Sequence, residues 1–128
     1  MLYPITPVPK PRMTGSDKWK KRPNVMKYWA FKEECRLRKV EIPEDGCHII
    51  FTISMPKSWS KKKKLEMAGK PHQQTPDLDN ICKAIFDAIY DNDSHIWTYR
   101  ATKIWGTEGS IRIIPDDFTK RTLASKMG

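Results

Sequence analysis

The sequence lacks the features of a secreted, membrane-spanning or nucleotide-binding protein. No apolar stretch reaches the roughly 18 residues needed to cross a bilayer. The N-terminus, MLYPITPVPKPR, lacks the basic segment and apolar run of a secretory signal, which predicts an intracellular protein. Cysteine is scarce: Cys35, Cys47 and Cys82 are widely spaced, odd in number and form no CxxC pair. That pattern fits neither a disulfide framework nor a zinc knuckle and predicts three reduced, mostly buried thiols. The three histidines, His48, His72 and His95, lack the spacing of a zinc ligand set. His48 is expected to be packed or at the surface, and His72 to face solvent from a polar loop. There is no glycine-rich phosphate loop, which argues against a phosphotransferase or nucleotide hydrolase. No internal repeat is visible.

What is present is charge of one sign. Lys and Arg outnumber Asp and Glu by 24 to 15 in 128 residues, giving a net charge of +9 and a pI near 9.6. The basic residues fall in runs, the electrostatic pattern of a protein that meets phosphate backbones, and nucleic acid suits it better than an anionic membrane. A hydrophobic fraction of 38% and a mean hydropathy of -0.68 describe a hydrated chain with enough apolar material for one core. The expected fold is α+β: a single domain with a small mixed sheet of about four strands packed with two to three helices. Its expected extent is residues 1–115, with 116–128 as a polar tail.

Residues 2–8 contain Pro4 and Pro7 and suit only an edge strand or extended arm, because proline cannot donate to a ladder. A basic loop with Lys10, Arg12, Lys18, Lys20, Lys21 and Arg22 follows. A helix is expected over 24–39, with Asn24 as cap and Tyr28, Phe31, Cys35, Leu37 and Arg38 at helical spacing. IPEDG (42–46) reads as a turn and CHIIFTISM (47–55) as a central strand. A short helix over 58–69 has Ser58 or Ser60 as cap and Gly69 at its end, followed by the polar loop KPHQQTP. A further helix covers 79–90, with Leu78, Ile81, Cys82, Ile85, Ala88 and Ile89 as its apolar stripe. Segments 95–105 and 108–115 suggest a hairpin across Gly106 to Gly109.

Against the positive background, TPDLDNICKAIFDAIYDND (75–93) concentrates Asp77, Asp79, Asp91 and Asp93. Thr75 and Pro76 read as a helix cap followed by proline in the first turn, which would set Asp77 and Asp79 where the helix dipole favours negative charge. Such acids alone are commonplace. The second pair strengthens the case for a cation, because hard divalent metals take carboxylate oxygens together with substrate phosphate. A helix of about 12 residues runs about 18 Å, so Asp91 or Asp93 joins the first pair only if the chain folds back. Lys83, four residues after Asp79, shares its face with Asp79 and Asp87 and is suited to meet charge on a phosphoryl group.

The run T-P-D-L-D-N-x-x-K-A-x-x-D-A, then N-D-S-H-I and Y-R-A-T-K, resembles the signature of RusA-type Holliday junction resolvases, including those carried by prophages. The resemblance extends from P-x-P-K-P-R through the strand at 47–55, the segment M-P-K-S-W-S-K-K-K and the expected final hairpin. It implies a small homodimer that cuts four-way DNA junctions symmetrically with Mg²⁺, Mn²⁺ being a possible substitute, in recombination and repair. The setting it implies is the cytoplasm of a bacterial or phage-infected cell, with no membrane partner. It places the catalytic and metal-binding carboxylates on Asp77, Asp79 and Asp93, and the essential lysine on Lys83. Asn92 stands where the family commonly has the first of two adjacent acids, so Asp91 is the alternative to Asp93.

Phosphate contacts are expected from Lys10, Arg12, Lys20, Lys21 and Arg22 in the N-terminal loop, Lys61 and Lys62 in the lysine run, and Lys103, which matches a basic position in the family. Trp19 in the basic loop is suited to stack on exposed bases. Trp29, Trp59, Trp97 and Trp105 are expected as core or interface anchors. The competing reading is a non-catalytic basic module for branched or double-stranded nucleic acid. Clustered carboxylates weigh against it, since they repel phosphate unless a cation intervenes.

Overall fold

The computed structural model describes residues 1–12, 22–43, 45–90 and 96–116. Its elements are β1 (Leu2–Tyr3), α1 (Pro23–Leu37), β2 (Cys47–Ser54), α2 (Lys61–Met67), α3 (Leu78–Ile89), β3 (Arg100–Gly106) and β4 (Ser110–Pro115). The four strands form one mixed sheet in the order β1-β4-β2-β3, which matches the α+β expectation. Trp19, Lys18, Lys20, Lys21, Asp91, Asp93, His95 and the tail from residue 117 lie outside the described residues.

β2 is the apolar, β-branched strand expected at the centre, and it pairs on both sides. Its side chains alternate, as a pleated strand requires. Cys47, Ile49 and Phe51 are fully buried, joined by Ile111 and Ile113 of β4. This face packs on Tyr28, Phe31 and Cys35 of α1 and on Ile81, Cys82, Ala84, Ile85 and Phe86 of α3. Each large aliphatic or aromatic side chain so buried contributes about 1.5–3 kcal/mol relative to exposure. The three cysteines are free and buried, and burial pushes each thiol up to about 11.

The hairpin expected from 95–115 does not form. β3 runs parallel to β2 and β4 antiparallel to it, on opposite sides. Two sheet spacings amount to about 10 Å, and residues 107–109 supply four Cα steps of about 3.8 Å, enough to cross over the end of β2. Gly106 makes the crossing possible, because a Cβ there would lie 2.2 Å from Thr52 Cγ2.

The N-terminal segment pairs through Leu2 and Tyr3, against Arg112 and Ile111, and Met1 exchanges backbone hydrogen bonds with Ile113 at 2.8 and 2.9 Å. Pro4 and Pro7 end the ladder and the chain continues as an arm, whose Lys10 N–H donates to the Asn80 carbonyl at 3.2 Å. α1 starts at Pro23 with Arg22, not Asn24, as cap, because proline's fixed φ suits the first helical position. It ends before Arg38, leaving Leu37 69% exposed. α2 begins after Ser60, whose hydroxyl accepts from the Lys63 N–H at 3.2 Å, and Gly69 follows it at φ +80°, a left-handed conformation that glycine adopts without strain. Trp105 is buried and packs on Trp59 at 4.8 Å, whereas Trp29 and Trp97 are 55% and 58% exposed and lie outside the core.

Candidate active site at the start of the third helix

Thr75 and Pro76 do not open α3. The helix starts at Leu78 with Asp77 as its N-cap, and the first helical bond runs from the Ile81 N–H to the Asp77 carbonyl at 3.2 Å. The preceding loop is held from β3: the Lys103 Nζ donates to the carbonyls of Gln74 and Pro76, each at 2.6 Å. Those carbonyls are thereby engaged outside the helical ladder. The Asp77 side chain makes no capping hydrogen bond, unlike the usual aspartate at this position. Its carboxylate, at the positive end of the α3 dipole, is left available to a ligand.

Asp79 stands in the first turn of α3, and Lys83 lies one turn on, its Nζ 3.8 Å from Asp79 Oδ2. The two side chains are 72% and 62% exposed, so solvent screens the pair and it adds little to stability. An exposed carboxylate thus faces an exposed ammonium, both open to an external ligand. Among the described residues no third His, Cys, Asp or Glu completes a metal-binding group. Two hard oxygen donors nonetheless suit a Mg²⁺-like cation, which uses one or two carboxylates and takes further oxygens from water and substrate phosphate.

Asp87, two turns beyond Asp79, is engaged differently. It accepts a hydrogen bond from the Tyr28 hydroxyl and lies 3.5 Å from Lys32 Nζ and 3.7 Å from Lys10 Nζ. Burial raises its pKa, but the Tyr28 phenol and the two ammonium groups outweigh that and hold the carboxyl below its ordinary range. Burial and Asp87 together push the Tyr28 phenol well above the normal tyrosine range. This cluster joins α1, α3 and the N-terminal arm.

The loop feeding the site is laced along the outer edge of β3. Gly69 N–H donates to the Trp105 carbonyl at 2.9 Å, Trp105 N–H to Lys70 at 3.0 Å and His72 N–H to Lys103 at 3.0 Å. His72, expected in solvent, is therefore only 4% exposed, its ring 4.2 Å from that of Trp105. Its Nδ1 has no partner among the described residues. Burial and the nearby Lys103 charge lower its pKa. His48 is half-buried, its Nε2 2.7 Å from Thr102 Oγ1.

The cations expected to meet DNA have varied surroundings. Arg12 and Arg22 are exposed, with an Arg22 Nη2 donating to the Arg12 carbonyl at 3.2 Å. Lys61 and Lys62 are exposed on the first turn of α2. Lys103 was the least legible from sequence. The period-2 pattern that places Ala101, Lys103 and Trp105 on one face was the available signal, because Phe51, Lys103's partner in register, is a core residue. A cleft of about 710 Å³ between the arm and α1 reaches this region only at Pro76. The carboxylates stand on open surface, which suits a duplex phosphate better than a small enclosed ligand.

A basic α+β domain presenting two carboxylates and an ammonium on an open helix start has the make-up of an enzyme acting on nucleic-acid phosphodiesters. The chain belongs to the RusA family: the family model Endodeoxyribonuclease RusA matches residues 4–114. It is thereby an endodeoxyribonuclease, a hydrolase that resolves Holliday junctions. No curated protein and no solved structure matches the chain. No helix among the described residues is long and apolar enough to cross a membrane.

Proposed function

We propose that the protein cuts four-way DNA junctions by paired, symmetric, Mg²⁺-dependent hydrolysis in DNA recombination and repair, with Mn²⁺ able to substitute. The observation that carries this reading is the grouping of Asp77, Asp79 and Lys83 on the open start of α3, where the Asp77 side chain is not spent on its own helix. Asp77 and Asp79 would hold the cation, joined by Asp93, or by Asp91 if the register is shifted. When bound there, the cation supplies Lewis-acid stabilisation at the scissile phosphate and lowers the pKa of a water nucleophile. Lys83, held beside Asp79, stabilises charge developing on the phosphoryl oxygens or the leaving oxygen.

Lys10, Arg12, Lys20, Lys21, Arg22, Lys61 and Lys62 would hold the junction arms through phosphate. A junction with two-fold symmetry is matched most simply by two equivalent sites, hence a homodimer. The cytoplasm of a bacterial or phage-infected cell is the corresponding setting. The test is to incubate the purified protein with a synthetic four-way junction and with linear duplex, with and without Mg²⁺. Paired incisions restricted to the junction and to Mg²⁺ support the reading. Equal cutting of linear duplex, or junction binding without incision, overturns it.

A further inference from the structure

Lys103 places an ammonium within electrostatic reach of Asp77 yet directs it at the backbone. Its Nζ lies 2.6 Å from both the Gln74 and the Pro76 carbonyl oxygens, so two of its three N–H donors are committed. Its own carbonyl accepts the His72 N–H at 3.0 Å. One residue of β3 therefore holds the chain at residues 72, 74 and 76, immediately before Asp77. Lys103 is itself immobilised by its place in the sheet, in parallel register with the fully buried Phe51. The Asp77 side chain makes no hydrogen bond to its own helix, so its direction depends on where the preceding backbone sets its Cα.

Resting on the cation site proposed above, we propose that Lys103 is a positioning residue for the Asp77 carboxylate: its ammonium clamps the two carbonyls preceding Asp77 and so presents that carboxylate to the cation. In this role it does not contact DNA phosphate. The neighbouring charge supports the assignment, since Asp77 partly offsets the lowering of the Lys103 pKa by burial. The clamp and the carboxylate thus lie within electrostatic reach of each other.

The experiment compares wild type with Lys103→Met for Mn²⁺ affinity, by electron paramagnetic resonance of the free ion, and for binding to a four-way junction in EDTA. The expected result is a Mn²⁺ affinity weakened about 10- to 100-fold, the usual effect of removing a group that orients a metal ligand. Junction affinity and its salt dependence should be unchanged. Unchanged Mn²⁺ affinity, or a junction-binding salt slope reduced by about one unit, overturns the proposal. A measurement on wild type covers the case in which Lys103→Met does not fold. The Lys103 ammonium should give a protected side-chain signal in ¹⁵N-edited spectra that junction DNA does not shift; a signal that moves on adding the junction overturns the clamp. Neither readout needs strand cutting. Failure of wild type to cut junctions would therefore count against the proposed function and leave the Lys103 result to stand or fall separately.

Discussion

The Tyr28 hydroxyl on α1 donates to the Asp87 carboxylate on α3, tying the helix that carries Asp79 and Lys83 to the first helix of the chain. Asp87 also meets Lys32 and Lys10, so a carboxylate on the same face as Asp79 and Lys83 serves cohesion between elements. Tyr28→Phe should cost about 1 kcal/mol in urea unfolding at pH 7, less than the roughly 1.5–3 kcal/mol of a hydrogen bond to a charged group, because the Asp87 side chain is 37% exposed and partly screened. The Asp87 pKa is depressed in the fold, so its contribution is present above the ordinary carboxylate pKa of about 3.9 and is lost as pH falls through the lower folded value. The difference between wild type and Tyr28→Phe should therefore shrink in strong acid. A difference that grows there would contradict the assignment.

Asp79→Asn and Lys83→Met should separate the two halves of the site. Asp79→Asn is expected to keep junction binding in EDTA, weaken Mn²⁺ binding and lower the single-turnover cutting rate by at least about 100-fold. Lys83→Met should lower the rate by a similar factor while leaving Mn²⁺ affinity equal or tighter, since a competing cation is removed. Junction cutting by Asp79→Asn at the wild-type rate would exclude Asp79 from the site.

His72 should make the protein sensitive to mild acid. Its folded pKa is lowered by burial and by Lys103, so the neutral ring contributes stability above the unfolded pKa of about 6.5, and that contribution is lost as pH falls below it. His72→Phe removes a buried Nδ1 that has no partner among the described residues and keeps a ring against Trp105. Its melting temperature should change less than that of wild type between pH 7.5 and pH 5. Equal shifts in the two proteins would show that His72 does not titrate in that window.

Gly106 is demanded by the crossing of the chain over β2. Gly106→Ala brings its Cβ to 2.2 Å from Thr52 Cγ2 and should destabilise by about 1–3 kcal/mol, as overpacking does. Thr52→Ser removes that methyl, and the double variant should recover much of the loss. Strictly additive effects in a double-mutant cycle would show that the two positions do not meet.

The elements themselves were largely legible. The β-branched run at 47–55 became the central strand, the stripe Leu78, Ile81, Cys82, Ile85, Ala88 and Ile89 became the packed face of α3, and Ser60 became the cap of α2. These depend on periodicities of two and 3.6 and on capping chemistry that operate within a few residues. The contact between Asp79 and Lys83 was legible for the same reason, since one helical turn separates them. The errors fell where distant segments compete for one partner. Two strands close in sequence looked like a hairpin, but each gained more by pairing with β2, which is apolar enough to be buried on both edges. His72 looked solvent-facing in a polar loop until that loop covered the open edge of β3.

By itself, the sequence determined a basic, single-core α+β protein with an acidic helix start and a lysine one turn along, because charge balance, apolar periodicity and i to i+4 spacing are local properties of the chain. Tertiary structure alone decided the strand order, the burial of His72, the pairing of Asp87 with Tyr28, and the turning of Lys103 onto the backbone before Asp77. Each of these depends on hydrogen-bonding groups far apart in sequence finding partners once water is excluded, and no local pattern specifies which partner that is.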